Sequence, residues 1–208
     1  MFTTRLHQLD LSKNIALEYL FCPYSKFTSL DLSNNSELKK LECYNSHALK
    51  ELNVSSTFKL EELYCFATGL KELNVSNNKK LKKLHCYLTG LKELNVSSNF
   101  ELEELVCHNA GLTELNVSNN SKLKKLVCYN NPALKELNIS SKPEAAAIRY
   151  INCQHCNLAK IALVKLFDSL PNCGEAADGK IWITLNSDEE SNYTGIAAEK
   201  GWTVNPPI

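Results

Sequence analysis

The chain contains 208 residues, nine cysteines and equal numbers of acidic and basic side chains, 23 of each. Zero net charge without a basic run argues against a nucleic-acid-binding protein, and no apolar stretch approaches the roughly 18 residues that span a bilayer. The first 21 residues lack the basic head and apolar block of a signal peptide, so we expect a cytosolic protein or a mature domain without its leader. The 33 leucines and 23 asparagines indicate an internal repeat.

A repeat of 21 or 22 residues accounts for most of the leucines. One half-unit has the pattern Leu-x-x-Leu-Asn/Asp-Leu/Val/Ile-Ser, and the other has the pattern Leu-x-x-Leu-x-Cys. The third apolar residue of the first half-unit recurs in steps of 21, 22, 21, 21, 21 and 22 residues, at Leu11, Leu32, Val54, Val75, Val96, Val117 and Ile139. The second half-unit ends at seven cysteines, here called the cysteine ladder: Cys22, Cys43, Cys65, Cys86, Cys107, Cys128 and, after an insertion at 141–147, Cys153.

Each half-unit contains an alternating triplet, such as Leu73-Asn74-Val75, whose apolar side chains face inward as in a strand. One coil of this size cannot bury its apolar side chains, whereas stacked coils can. We therefore predict an α/β, mostly β, right-handed solenoid of about seven coils over residues 6–158, with parallel strand ladders on two faces.

The period stops after Leu158. Apolar spacing predicts an amphipathic helix over 159–170, a strand over 180–185, a short helix over 194–200 and an extended segment over 202–204. A solenoid needs its last open core covered, so we expect residues 159–208 to form a C-terminal cap.

The motifs Leu81-x-x-Leu84-x-Cys86-x-x-Thr89-x-Leu91 and Leu70-x-x-Leu73-x-Val75-x-x-Asn78-x-x-Leu81 resemble the leucine-rich-repeat consensus. The 21-residue nested period is similar to that of surface and internalin-like leucine-rich-repeat proteins of Bacteroidetes. The resemblance covers about residues 6–158 and implies the fold, but it says little about the ligand. The tail with Ile-Trp-Ile and Ala-Ala-Glu-Lys-Gly-Trp resembles the segment that follows such repeats in surface proteins, which implies an exported location, with a cytoplasmic one left open.

One turn position of each coil carries asparagine or a substitute for it. We expect each inward amide to bond the turn backbone of its own coil and of the next, because buried backbone polar groups need partners. The resemblance implies the same asparagine ladder. Its members are Asn14, Asn35, Asn78, Asn99 and Asn120, with Thr57 and Lys142 at the equivalent positions of other coils.

The nine cysteines are open to disulfide, zinc and nucleophile interpretations. The repeat favours buried free thiols, because parallel in-register side chains point the same way and would be distorted by bridges. Cys153-Gln-His-Cys156, with His155 and Cys173, is the candidate metal cluster, but Cys156 also falls on the turn position of Thr89 and Asn131. We predict no metal, no cofactor and no catalytic residues, since the five histidines have no repeated Ser or Asp partner.

Charged pairs precede the cysteine strands and alternate in sign from coil to coil. Stacking would place each pair against its opposite, and a slip of one coil would stack like charges. We therefore expect these pairs to set the register of the coils. They are Lys39-Lys40, Glu61-Glu62, Lys82-Lys83, Glu103-Glu104 and Lys124-Lys125.

Outward positions of the cysteine strands vary and carry aromatic rings, which interface hot spots favour. We predict a non-enzymatic protein-binding scaffold with the candidate binding face Phe21, Tyr44, Tyr64, Phe66, His85, Tyr87, His108 and Tyr129. Three alternatives stay open: rings that only stiffen the sheet, a carbohydrate- or glycoprotein-binding adhesin, and a Cys/His metal protein or hydrolase. Removing Phe66 and Tyr87 together is expected to leave stability nearly intact. The N-terminal coil, which begins at Leu6, would expose a strand edge, so we expect either that the chain was cut from a longer one or that this edge pairs with a second copy.

Overall fold

The computed structural model describes residues 7–140, 148–173, 178–185 and 187–205. Leu6, Lys142 and the insertion at 141–147 lie outside them. The chain is a parallel β solenoid, as predicted. Its strands are β1 (Tyr19–Phe21), β2 (Ser29–Asp31), β3 (Lys40–Glu42), β4 (Glu51–Asn53), β5 (Glu62–Tyr64), β6 (Lys83–His85), β7 (Glu104–Val106), β8 (Glu114–Val117), β9 (Lys125–Val127), β10 (Glu136–Ile139), β11 (Tyr150–Cys153), β12 (Gly179–Ile183) and β13 (Trp202–Val204), and its helices are α1 (Lys160–Ser169) and α2 (Ser187–Glu199).

A nine-stranded parallel sheet, here called the cysteine sheet, forms one wall of the solenoid in the order β1-β3-β5-β6-β7-β9-β11-β12-β13. The seven coils contribute one strand each, and the cap strands β12 and β13 extend the same sheet. The boundary between solenoid and cap at residue 158 therefore stays a prediction. β1 is the edge strand next to β3, and its pairing with a second copy also stays a prediction.

A continuous apolar core lies behind the cysteine sheet. The central leucine of β3, β5, β6, β7 and β9 is fully buried, as is the ladder cysteine that follows each of these strands. Burying a leucine side chain contributes about 1.5–3 kcal/mol, so the repeated leucines dominate the stability of the stack. The cysteines, which are smaller, fill the space next to them.

The opposite wall differs from the predicted continuous ladder. Only β2 pairs with β4 and β8 with β10, while Leu73–Val75 and Leu94–Val96 form no strand. The pairing coincides with turn length. β4 and β10 follow turns in which the next buried leucine comes six residues after the ladder cysteine, at Leu49 and Leu134, instead of five. Both strands that follow a longer turn pair with the preceding coil. The extra residue also produces the two 22-residue steps of the repeat.

Asn35, Asn78, Asn99 and Asn120 form the asparagine ladder with one correction to its predicted bonding, whereas Asn14, the fifth predicted member, is exposed. The amide nitrogen of Asn99 donates to Val75 O at 2.9 Å and to Asn78 O at 2.9 Å, both in the preceding coil. Asn35, Asn78 and Asn120 bond the preceding coil in the same way. Each amide therefore bonds the coil before it rather than its own coil and the next, which ties consecutive coils together.

The cap closes the C-terminal end of the core. α1 buries Ala162, Leu163, Leu166 and Phe167, and α2 begins seven residues earlier than the helix predicted over 194–200. Sequence periodicity missed that first part because it is polar. Among the described residues, no helix has both the length and the hydropathy needed to cross a bilayer.

The predicted stacking of opposite charges between coils is present, and its role in setting the register stays a prediction. Along the cysteine sheet Lys40, Glu62 and Lys83 are consecutive partners, with Nζ–Oε distances of 3.4 and 3.1 Å to Glu62. Glu104 and Lys125 continue the column at 3.0 Å. A second column just before the strands pairs Lys39 with Glu18, Lys82 with Glu61 and Lys124 with Glu103, at 2.7–2.8 Å.

Candidate interaction face

Five aromatic rings stack face to face along the outer surface of the cysteine sheet. Successive ring centroids are 4.6, 4.4, 4.4 and 4.2 Å apart, with interplanar angles of 6, 6, 17 and 8°. These spacings lie at or below the 4.7–4.9 Å between neighbouring strands, so the coils are not splayed apart on this side. We call this column the aromatic stack, and its members are Tyr44, Phe66, Tyr87, His108 and Tyr129.

The repeat itself positions the aromatic stack. Each ring follows a ladder cysteine and therefore points outward, and the next residue takes a left-handed φ of 51–55° at Asn45, Ala67, Leu88, Asn109 and Asn130. The N–H of each of the first four donates to the ring residue of the following coil, as from Ala67 N to Tyr87 O at 2.9 Å, and that of Asn130 donates to Gln154 O. Backbone bonds thus continue past the strand ends and hold successive rings in line.

The other predicted face residues lie beside the stack. Tyr64 and His85 form an edge-to-face pair at 4.8 Å, and Phe21, 67% exposed, meets the Tyr44 ring edge-on at 6.2 Å. The structure therefore brings all eight candidates onto one surface. The outward Val106 and Val127 are buried beneath their neighbours.

Four aromatic residues on this surface were not among the candidates, and one of them, Tyr19, is exposed on β1 in register with Lys40. Tyr150 and Trp182 form a tilted ring pair at 4.7 Å near the cap, and Tyr24 contacts the Tyr44 ring at 6.1 Å. Trp182 lies on cap strand β12, which carries no repeat signal, and Tyr24 occupies the left-handed position, which the repeat leaves variable. Tyr150 is in register with Lys125 of β9, and this alignment is the signal that would have placed Tyr150 on the face.

Ion pairs balance the positive and negative side chains that lie beside the aromatic stack. Although partial burial opposes ionisation, bonds from Lys83, Tyr64 and Lys40 hold the pKa of Glu62 below its ordinary value. Burial and the 3.0 Å bond from its hydroxyl to Glu62 raise the pKa of Tyr64 to about 12. Lys40 also lies over the Tyr64 ring, 5.2 Å from its centroid. The face therefore offers hydroxyl groups and ring edges rather than net charge.

Two histidines lie within this face and are held in the neutral form. Burial lowers the pKa of His85, although Glu104 Oε1, 3.3 Å from its Nε2, works in the opposite direction. Burial between Tyr87 and Tyr129 is the main cause that lowers the pKa of His108, and protonation of His85 would lower it further. Both side chains act as aromatic rings at neutral pH.

Solved structures that resemble this chain include the functional domain of InlJ from Listeria monocytogenes, which includes a cysteine ladder. It matches with a TM-score of 0.62 and 27% identity, over 86% of this chain and 42% of that one. The fold is that of a leucine-rich-repeat solenoid. The chain spans less than half of the InlJ domain.

Two further solved structures share this fold at lower identity. The internalin InlF from Listeria monocytogenes matches with a TM-score of 0.51 and 13% identity, over 94% of this chain and 64% of that one. A chain of the octameric complex of latrophilin 3, Unc5D and the leucine-rich repeats of FLRT2 matches with a TM-score of 0.55 and 12% identity, over 93% and 70%. No protein-family model and no curated protein sequence matches the chain.

The opposite wall of the leucine-rich-repeat solenoid is more uniform. Where its strands do not pair, the coils leave open clefts of about 360, 510 and 850 Å³. Their lining repeats Lys, Glu, Leu and Asn from coil to coil, as at Glu72, Asn74, Glu93 and Asn95. Asn74 and Asn95 accept the backbone N–H of the serine two residues later, at 3.0 Å, so these asparagines serve the turns.

The cysteines separate into one half-buried and eight buried thiols. Burial raises the pKa of every ladder thiol, including Cys86 and Cys153. The proposed metal cluster is not assembled, because Cys153 faces the core, His155 is exposed, and Cys173 packs near Gly179 in the cap. Within the described ranges, no three His, Cys, Asp or Glu side chains are placed to share a metal ion.

Proposed function

We propose that this leucine-rich-repeat protein is a non-enzymatic scaffold that binds a protein partner through the aromatic stack and the side chains beside it. The observation that carries the proposal is the stack itself. Five consecutive coils place a ring at the position after the ladder cysteine, where the core makes no demand on the side chain. Half-buried rings on a rigid sheet lose little conformational entropy on binding, which is why aromatic side chains dominate hot spots.

The solved structures with this fold agree with a binding role. One of them is a complex in which leucine-rich repeats assemble with other proteins. The opposite wall is a weaker candidate because its Lys-Glu-Leu-Asn lining repeats nearly unchanged and offers little to distinguish one partner from another.

Ring geometry favours a protein over a glycan. Sugar recognition by stacking needs open ring faces, but Phe66, Tyr87 and His108 each have both faces covered by neighbouring rings 4.2–4.6 Å away. The outward parts of these three rings are their edges and the Tyr87 hydroxyl. Edges and hydroxyls suit backbone carbonyls and side chains of a protein surface. A metal-dependent or hydrolytic function has no comparable support, because Cys153, His155 and Cys173 do not converge.

We extend the proposal to an exported protein that acts at a bacterial cell surface. Its support is the resemblance of the repeats and of the tail to surface leucine-rich-repeat proteins. Detection of the intact chain outside the cytoplasm of its source, by fractionation and immunoblotting, would test this part separately.

The binding face is tested by capture from an extract of the protein's native environment, with quantitative mass spectrometry. The double variant Phe66→Ala/Tyr87→Ala removes the centre of the stack and is expected to lose at least 90% of the specifically captured proteins. Phe58→Ala/Phe100→Ala is the matched control, because these phenylalanines are exposed on the turns away from the face. Unchanged capture by the stack variant would refute the assignment.

Loss of stacking makes a folding control necessary. Removing Phe66 and Tyr87 would remove three stacked ring contacts, each contributing about 0.5–1.5 kcal/mol, so we expect the double variant to lose some stability. Tyr44→Phe/Tyr87→Phe/Tyr129→Phe keeps every ring and removes only hydroxyls. We expect this variant to unfold like wild type and to bind more weakly.

A further inference from the structure

Cys156 differs from the eight other cysteines in exposure and in contacts. It lies in the turn between β11 and α1, is half-buried, and is flanked by the exposed residues His155 and Asn157. It occupies the turn position that is Ser25, Ser46, Thr68, Thr89, Ala110 or Asn131 in the preceding coils.

Its thiol leans toward the preceding coil. Ser25, Thr68 and Thr89 each donate to the carbonyl of the ladder cysteine of their own coil, at 2.7 Å. Cys156 Sγ instead donates to the carbonyl of Cys128, at 3.3 Å, although Cys153 is the ladder cysteine of its own coil. The two thiols also influence each other's ionisation, which raises the pKa of Cys128 and lowers that of Cys156.

The surroundings of Cys156 stabilise its thiolate. Bonds from the Cys128 thiol and from the backbone N–H of Asn131 lower the pKa of Cys156 against the opposing effect of partial burial. A thiolate rather than a thiol attacks disulfides, and reactivity follows exposure and thiolate character. Cys156 is therefore partly accessible, ionises more readily than an ordinary thiol and has a second cysteine nearby. The ladder thiols are buried and are not accessible to an oxidant.

We propose that Cys156 and Cys128 form a redox-active dithiol, which a small-molecule disulfide oxidises to a bridge between the last coil and the coil before it. The Cys156 thiolate attacks one sulfur of the oxidant, whose S–S bond breaks and releases one thiolate. Cys128 then loses its proton to solvent and attacks Cys156 Sγ, which releases the second thiolate. Both protein thiols are oxidised and the disulfide is reduced to two thiols.

The partner is Cys128 rather than Cys153. Both ladder thiols are buried, and Cys153 lies three residues before Cys156 in the chain. The shorter bond of the Cys156 sulfur, 3.3 Å to the carbonyl of Cys128 against 3.8 Å to that of Gln154, directs it toward the preceding coil. The bridge would fasten the turn that precedes α1 to the coil before it, at the junction with the cap.

Oxidised glutathione and non-reducing peptide mapping test the proposal on the whole chain. Trypsin cuts after Lys125, Lys135, Arg149 and Lys160, so the bridge joins peptide 126–135 to peptide 150–160. In Cys128→Ala the reaction should stop at the mixed disulfide, with one glutathione bound to Cys156. Cys156→Ser, which installs the residue of Ser25 and Ser46, should abolish both products.

Ladder variants supply the matched controls. Cys107→Ala and Cys153→Ala should still form the 126–135 to 150–160 link, because each removes a buried ladder thiol that takes no part. Titration of native protein with an aromatic disulfide should find one fast thiol among the nine, and none in Cys156→Ser. The proposal is overturned if no thiol reacts faster than the rest, or if the only bridge joins Cys153 to Cys156 and survives in Cys128→Ala.

Discussion

Asn131 makes the hydrogen bonds that the alanine at the same position of the preceding coil, Ala110, cannot make. Its Oδ1 accepts the backbone N–H of Ala110 and of the next two residues, at 3.2, 2.8 and 3.1 Å. Its Nδ2 donates to the carbonyls of Cys107 and Cys128, at 3.1 and 2.8 Å. One fully buried side chain thus satisfies the turns of two coils.

We predict that Asn131→Ala is among the most destabilising turn substitutions. Five hydrogen bonds disappear, and several buried backbone groups lose their partner, so the free energy of unfolding should fall by about 3–5 kcal/mol. Thr89→Ala, which loses a single 2.7 Å bond to Cys86 O, should cost about 1 kcal/mol. Urea unfolding followed by circular dichroism measures both.

A second substitution checks the cause. Ala110→Thr in the Asn131→Ala background places a hydroxyl where Thr89 has one, so it should recover about 1 kcal/mol through a bond to Cys107 O. If Asn131→Ala costs no more than Thr89→Ala, the shared role of Asn131 is wrong.

Turn length is predicted to control strand pairing on the opposite wall. Lys50 and Glu51 donate to Thr28 O at 2.8 and 3.3 Å, and their coil has one more turn residue than the unpaired coils. Deletion of His47, which is exposed, should shorten this turn and open the β2–β4 pair. Hydrogen exchange of the Lys50 and Glu51 amides should then approach that of an unprotected backbone.

The cysteine sheet serves as the internal control for this deletion. Cys43 N donates to Tyr64 O at 2.9 Å on the far side of the same coil, and its protection should stay within threefold of wild type. Retained protection at Lys50 after the deletion would mean that something other than turn length holds the pair.

Features that repeat were predictable from the sequence, and features that depend on single neighbours were not. Leu84, Cys86 and Asn99 recur in equivalent environments, so periodicity alone placed them in the core and in the turn ladder. The Asn131–Ala110 relationship arises because two coils differ, and a pattern averaged over coils hides it. Trp182 reached the candidate face through β12, which lies outside the repeat, and the split of the opposite wall depended on one inserted residue.

The charge column predicts a salt-dependent effect of reversal at Glu62. Glu62→Lys would place three lysines in succession with Lys40 and Lys83, and after screening at this partly exposed site we expect a loss of about 1–2 kcal/mol at low salt. Thermal unfolding should show most of that loss at an ionic strength of ~20 mM and little of it at ~1000 mM, both set with NaCl.

The control reversal lies on the opposite wall. Glu72 is exposed and makes no ion pair with any residue that the structure describes, so Glu72→Lys should change stability by less than about 0.5 kcal/mol at either salt concentration. Equal effects at the two glutamates would refute the register role of the column.

The two histidines of the face predict that stability falls with acidification before the carboxylates titrate. Burial holds the pKa of His85 and of His108 below the value in the unfolded chain, about 6.5. The unfolded chain therefore binds protons first as the pH falls, so this stabilisation is complete above about pH 6.5 and is lost below it. Lys83 and Lys125 oppose the protonation of His85, while Glu104 favours it. Between pH 7 and pH 5 the loss should be at most about 1 kcal/mol per histidine after screening.

His108→Phe keeps the ring between Tyr87 and Tyr129 and removes the proton site, so it should make the unfolding free energy less dependent on pH in this window. His47→Phe, at an exposed turn, is the control and should keep the wild-type slope. An unchanged slope in His108→Phe would mean that His108 does not titrate abnormally.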